Sequence, residues 1–195
     1  MKRLFDLICS IIGIIILLPF FVLFTILIVI DSGFPIFYVQ KRVGKDSQYF
    51  SLLKFRTMYI NSDKKGLLTI GKKDSRITRI GYFLRKYKID ELPQLFNVLI
   101  GDMSLVGPRP EVKKYVEMYN EDQKKVLSIK PGITDYASIE YSNENTMLSI
   151  SANPEQLYIN EVMPAKLKLN LKYIEEQGLF TDLKIIFKTL EKIVR

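Results

Sequence analysis

Two adjacent carboxylates, Asp90 and Glu91, and an arginine between two prolines, Arg109, are the residues of this chain best suited by type and spacing to do chemistry. They bracket the stretch from Asp90 to Pro110. Asp90 is placed to N-cap a short helix, and Pro93 fits a first turn because its missing N–H is one of the orphan donors there. Leu92, Leu95, Phe96 and Leu99 recur at helical spacing. The positive end of a helix favours an ionised carboxylate and any phosphate beside it, so a nucleophilic aspartate can be held charged next to a phosphorylated substrate. Arg109, flanked by residues of fixed φ, suits bidentate phosphate recognition. Taken singly, each feature has an ordinary structural counterpart: a capping pair, and a Gly-Pro-Arg-Pro turn.

Other cations come from elements on either side. Ile36 to Val39 and Phe50 to Phe55 are β-rich runs around Gly44, Lys45 and Asp46, which predicts a hairpin whose second strand carries Lys54 and Arg56 on one face. From the residues alone, that pair reads equally well as a solvated strand face. The lysine-rich segment from Asn61 to Asp74, with Gly66 and Gly71, reads as a surface loop able to fold over bound substrate. Thr78 then caps a helix through Lys88, with Ile80, Phe83, Leu84 and Tyr87 as its buried stripe and Arg79, Arg85 and Lys86 pointing elsewhere.

Beyond Pro110, the spacing predicts an amphipathic helix from Glu111 to Leu127, a turn from Lys130 to Thr134, and a helical run from Asn153 that Pro164 interrupts. From Thr181 to Arg195, Leu183, Ile186, Phe187, Leu190, Ile193 and Val194 share one face, and Lys184, Lys188, Lys192 and Arg195 another. Such a helix fits an anionic membrane surface or the protein's own core.

The N-terminus carries the membrane signal. Leu7 to Ile30 contain no charge, and this exceeds the run of about 20 residues that a membrane helix needs. It is longer than a signal h-region, and no Ala-x-Ala-like cleavage site follows. Pro19 falls near its middle and predicts a sharp bend. Each half is then about 12 residues, or roughly 18 Å, which reaches the bilayer interior without crossing it. Lys2 and Arg3 precede the run, and Lys41, Arg42 and Lys45 follow it. A re-entrant path keeps both clusters on the cytoplasmic side, whereas a kinked single-pass anchor, the alternative, puts one on each face.

Composition narrows the rest. A chain of 195 residues with 48% hydrophobic content holds one core, giving a catalytic domain at 36–195 behind a re-entrant membrane helix at 1–35. The class is α+β and mostly helical, with a proline-broken N-terminal helix whose expected path is re-entrant, a β-hairpin and amphipathic interfacial helices. The formal charge of +8 implies an anionic partner: nucleic acid, a phosphorylated substrate or anionic lipid. There is no histidine, which excludes Ser-His-Asp and Cys-His catalysis and histidine-ligated metals. The single cysteine, Cys9, excludes an internal disulfide and fits a reducing compartment. No internal repeat, zinc spacing, Walker loop or Gly-x-Gly-x-x-Gly is present.

The run Asp90-Glu91-Leu92-Pro93-Gln94-Leu95, followed by Gly101 to Pro110, resembles the bacterial sugar transferase family, small monotopic phosphoglycosyl transferases that start glycan assembly on polyprenyl phosphate. The similarity extends to Lys54 to Met58, Asp74 to Gly81 with Leu84-Arg85, and Lys130 to Thr134, and so covers most of the chain. It implies transfer of a sugar 1-phosphate from a UDP-sugar to undecaprenyl phosphate. UMP is released through a phosphosugar-Asp90 intermediate, and the product initiates capsule, O-antigen or glycoprotein glycan synthesis. Mg²⁺ is the implied cofactor, with Asp90 a ligand and Glu91 a ligand or positioning group. Lys54, Arg56, Arg85 and Arg109 are the implied substrate-phosphate binders, and Pro131 and Gly132 lie in a motif near the nucleotide.

The implied partners are the UDP-sugar, polyprenyl phosphate and membrane lipids, with no nucleic acid. The implied location is the bacterial inner membrane, with the catalytic domain on its cytoplasmic face. Four positions depart from the family pattern: Leu18 before Pro19 in place of Ser, Lys88-Ile89 in place of Ser-Leu, and Asp135 in place of Gly. The rival readings are a non-catalytic membrane-anchored module that binds anionic ligands on the same basic face, and a two-carboxylate phosphohydrolase that releases free sugar phosphate.

Overall fold

Lys2–Ser32 form one 31-residue helix, α1, long and apolar enough to cross a membrane. The computed structural model describes residues 1–62 and 74–194, so most of the lysine-rich loop expected to fold over substrate lies outside the described residues. The helical backbone continues on both sides of Pro19, so the proline does not divide α1 into two elements, although it still removes an interior hydrogen bond. One face of α1 is cemented into the domain: Phe21, Phe24 and Ile28 are buried with Phe55 and Leu84, and the Phe21 ring stands 5.4 Å from Phe55 and 5.7 Å from Phe96. The opposite face exposes Ile8, Ile12, Ile15, Ile16, Phe20 and Ile26, an apolar strip far longer than a water-soluble surface carries.

The predicted hairpin forms from β1 (Phe37–Val43) and β2 (Tyr49–Phe55), antiparallel with Phe37 opposite Phe55 and Val43 opposite Tyr49. Thr78 caps α2 (Arg79–Lys86) as its position predicts, its hydroxyl accepting from the Gly81 N–H at 3.0 Å. That helix stops two residues earlier than its pattern suggests, because Lys88 adopts a left-handed conformation with φ of 56°. Its buried side is also narrower. Leu84 and Gly81 are buried, whereas Phe83 and Tyr87 are exposed as a ring pair 5.0 Å apart.

A 3-10 turn, Ile89–Glu91, leads into α3 (Gln94–Ile100). Pro93 occupies the cap position, so Asp90 does not cap this helix as expected. β3 (Ser104–Val106) follows. The expected long helix after Pro110 is instead two single turns, α4 (Lys113–Val116) and α5 (Glu121–Lys124). Asn120 restarts it with a capping box closed by Gln123, an interaction available only if the first turn has already ended.

The expected turn at Lys130 to Thr134 is a strand, β4 (Gly132–Thr134), parallel to β3. α6 (Tyr136–Glu140), α7 (Glu144–Ser149) and α8 (Pro154–Leu157) follow. A π turn at Tyr158–Val162 absorbs Pro164 into the first turn of α9 (Met163–Glu175). The last helix, α10 (Leu179–Val194), enters the core through Asp182 and Ile185 and leaves Leu183, Phe187 and Leu190 exposed. The described residues are thus mostly helical, with one two-stranded antiparallel sheet and one short parallel pair among them.

Candidate active site

Asp90, Glu91, Lys54, Arg56, Arg85 and Arg109 all line one open cavity of about 1660 Å³. The elements that deliver them are tied together by polar side chains. Asn97 of α3 lies against β2, where its amide accepts from the Leu53 N–H at 3.0 Å and donates to the Ser51 carbonyl at 2.8 Å, in effect an extra strand partner. This fixes the helix after the carboxylates against the strand that carries Lys54. Arg42 of β1 donates to the Pro110 carbonyl at 3.0 Å and to Glu111 at 3.3 Å, and so fixes the far side of the Arg109 loop.

Glu91 is the hub. Lys54 Nζ donates to its Oε1 at 2.8 Å, and the Arg109 guanidinium grips both oxygens, Nη1 reaching Oε2 at 3.1 Å and Nη2 bonding Oε1. Burial alone would raise its carboxyl, but the Arg109 and Lys54 charges outweigh burial and hold it well below the ordinary glutamate range. The same pairing raises the Arg109 guanidinium against its own burial. Burial pushes the Lys54 ammonium down, with Glu91 opposing.

Asp90 is different. It is equally buried, yet its Oδ1 has no hydrogen-bond partner among the described residues. Burial and then the neighbouring Glu91 charge push its carboxyl up, against Lys54, Arg85 and Lys88. An aspartate with a free, unusually basic oxygen among cations suits attack on an electrophile that carries negative charge, such as phosphorus.

The other expected residues are placed as follows. Arg85 Nε donates to the Thr57 hydroxyl at 3.0 Å, and burial lowers its guanidinium against the pull of Asp90. Arg56 reaches the cavity wall, but its Nη2 is committed to the end of α1, donating to the Ser32 and Gly33 carbonyls at 2.8 and 2.6 Å, which is the place where a helix favours a cation. Its Nε and Nη1 are buried without a hydrogen-bond partner among the described residues. Pro131 and Gly132 do not line this cavity; their neighbours Ile133 and Thr134 do. Gly132 lies against Gly107, where an added Cβ would stand 2.0 Å from the Gly107 nitrogen. That approach lets Gly107 donate to the Thr134 carbonyl and Gly132 to the Pro108 carbonyl, each at 3.0 Å, and so seats the loop that holds Arg109.

Four contributors are not legible as site residues in the sequence: Asn97, Arg42, Lys88 and Asp135. A polar residue on an otherwise apolar helix face marks Asn97, and a carboxylate three residues before Ser138 marks Asp135 as a cap. Arg42 and Lys88 leave no such mark.

The sequence that builds this site matches known proteins along its whole length. The sequence model of the family described as Bacterial sugar transferase matches residues 1–195. The uncharacterized sugar transferase EpsL of Bacillus subtilis is 40% identical over 195 residues, covering 100% of this chain and 87% of that protein. The undecaprenyl-phosphate glucose phosphotransferase of Komagataeibacter xylinus is 36% identical over 198 residues, 98% of this chain and 35% of that protein. The undecaprenyl-phosphate galactose phosphotransferase of Salmonella typhimurium is 36% identical over 210 residues, 100% of this chain and 40% of that protein. The chain therefore spans less than half the length of these two phosphotransferases and most of the Bacillus protein.

Proposed function

The chain belongs to the bacterial sugar transferase family, and from that membership we propose that it moves a sugar 1-phosphate from a UDP-sugar to undecaprenyl phosphate, releasing UMP and starting a glycan. The observation that carries this reading is the buried Asp90 Oδ1, without a hydrogen-bond partner among the described residues, in a cavity walled by Lys54, Arg85 and Arg109. The Asp90 oxygen attacks the β-phosphorus, and the bond to the bridging oxygen breaks, its electron pair leaving with UMP. An oxygen of the lipid phosphate then attacks the same phosphorus and frees the Asp90 carboxylate. Arg109 and Lys54, already aligned by Glu91, offset the charge of the diphosphate without reorganising first.

Magnesium is the proposed cofactor. Such a cation keeps several waters and takes one or two carboxylates plus substrate phosphates, and Asp90 would offer it the carboxylate oxygen that does not attack. Glu91, with both oxygens taken by cations, fits the positioning role instead. Magnesium would supply further neutralisation of the diphosphate.

The membrane path that fits best is re-entrant, with the catalytic domain on the cytoplasmic face. Near the start of α1, Asp6 accepts from the Ser104 hydroxyl at 2.9 Å and from the Leu105 N–H at 3.1 Å; near its end, Asp31 accepts from the Ile80 N–H at 3.0 Å. A spanning helix puts its two ends on opposite sides of a hydrocarbon layer of about 30 Å, and the one polar domain bonded to both would have to pass through that layer.

The test is a stalled turnover. In nanodiscs, with a UDP-sugar and no lipid acceptor, mass spectrometry should find a phosphosugar on the peptide containing Asp90, and Asp90→Asn should carry none. UMP production from wild-type protein without any such adduct defeats the covalent route, and full function in Asp90→Asn favours a binding module.

A further inference from the structure

Three hydroxyls stand out that the phosphate chemistry leaves unused. Tyr115 Oη, Ser138 Oγ and Ser142 Oγ are each shielded from solvent without a hydrogen-bond partner among the described residues, and all three residues line the cavity that holds Asp90 and Arg109. Leaving a buried polar atom unpaired costs about 1–3 kcal/mol, so three in one cavity wall call for a ligand that satisfies them.

Their placement says which part of the donor they meet. Ser138 and Ser142 are four residues apart, on α6 and the turn that leaves it, where the Tyr141 N–H still bonds to the Ala137 carbonyl at 2.8 Å, so the two share a face. Tyr141, between them, packs on the core cluster that contains Tyr115. Asp135 joins this wall to the phosphate loop, one oxygen accepting from the Arg109 N–H at 3.1 Å and the other from the Ser138 N–H at 2.6 Å. Tyr115, pushed up to about 12 chiefly by burial, stays a neutral donor at any working pH. Each of these groups both donates and accepts, as does every hydroxyl of a hexose.

Resting on the transferase reading above, we infer that Tyr115, Ser138 and Ser142 bind the hydroxyl or acetamido groups of the donor's sugar ring and set which UDP-sugar the protein accepts. The sugar is attached directly to the phosphate that Arg109 would hold, so a polar wall joined to the Arg109 loop is where its ring must lie. A site that hydrogen-bonds a substrate hydroxyl discriminates strongly against analogues that misplace it.

The experiment compares full-length wild type with Tyr115→Phe, Ser138→Ala, Ser142→Ala and the double serine variant in nanodiscs. UMP release is measured from UDP-glucose, UDP-galactose and their N-acetylamino counterparts with undecaprenyl phosphate, alongside inhibition by UMP. The double variant should lose about tenfold in kcat/KM with the preferred donor. Its preference over the next donor should shrink by about threefold or more, with UMP inhibition unchanged. Should the double variant fail to fold, each single variant carries the same expectation at about threefold. UMP inhibition that weakens in step with KM would assign the hydroxyls to the nucleoside and overturn the inference, as would an unchanged donor ranking. Wild-type protein that releases UMP from no donor overturns the transferase reading, and this inference with it.

Discussion

The carboxylate of Asp135 accepts a hydrogen bond from the backbone N–H of Arg109 at 3.1 Å, while its other oxygen caps α6. One side chain therefore fixes both the phosphate loop and the wall beside it. Asp135→Ala removes the cap and leaves the Arg109 N–H unpaired, at a cost of about 2 kcal/mol. That should lower Tm by about 4–8 °C in a protein of this size. KM for the donor should rise more than kcat falls, and Asp135→Asn should recover part of both losses. An Asp135→Ala protein that melts and turns over like wild type refutes the role.

Glu91→Gln should destabilise strongly, by about 3 kcal/mol, because it leaves Lys54 and Arg109 without their shared counter-charge. The pH dependence has a definite sign. The folded carboxyl lies well below its ordinary 4.5, so its contribution is complete above that value and disappears as pH falls through the lower folded one. Thermal melts from neutral to acid pH should therefore show the wild-type advantage over Glu91→Gln closing only at strongly acidic pH. A gap that stays constant throughout contradicts the pairing.

Asp90 behaves in the opposite way. Its folded carboxyl lies above the ordinary 3.8, so the folded state disfavours the ionised form at neutral pH. Asp90→Asn should raise Tm by about 2–4 °C, the equivalent of ~1 kcal/mol, and the difference should close as the wild-type carboxyl takes up its proton on acidification. UMP release should fall by at least about 1,000-fold. In the wild type, kcat/KM should rise with pH through the elevated value, because only the carboxylate attacks. A variant that is both less stable and inactive would mean that Asp90 holds the fold together instead.

Gly132 tests how the loop is seated. The atoms its Cβ would strike are the Gly107 nitrogen at 2.0 Å and oxygen at 2.6 Å, backbone that cannot swing aside. Gly132→Ala should cost about 3 kcal/mol and displace Arg109, whereas Gly178→Ala, with nothing closer than 3.9 Å, should melt near wild type. Equal melting of the two variants removes the argument.

How much of this was legible depends on whether the signal is local. The hairpin, the Thr78 cap and the apolar helix are written in composition and periodicity over a few residues, and each forms where its pattern lies. The segment after Pro110 misled because its apolar spacing continues across Asn120 and outweighed the local capping-box pattern, Asn120 with Gln123 three residues on, that starts α5. Lys130 to Thr134 reads as a turn because its strand character depends on β3, 26 or more residues earlier, and on two glycines that allow the close approach. Asp90 and Glu91 were legible as a pair. Their division of labour was not: Lys54 and Arg109 arrive from distant elements to take up Glu91, while Asp90 Oδ1 has no hydrogen-bond partner among the described residues.

The path of α1 can be settled with its ends. Asp6 is buried, and moving it to the far side of a bilayer would strip the Leu105 N–H of its acceptor, just as moving Asp31 would strip the Ile80 N–H, each loss costing about 1–3 kcal/mol. The Arg56 clamp on the Ser32 and Gly33 carbonyls would go as well. Both ends should therefore stay on one side. With Cys9 replaced by serine, cysteines at the exposed positions Leu4 and Phe34 provide one reporter near each end. An impermeant maleimide should label both in inside-out vesicles and neither in intact spheroplasts. Labelling of one from each side would mean that α1 crosses the membrane and that its contacts with Ser104 and Ile80 do not exist together.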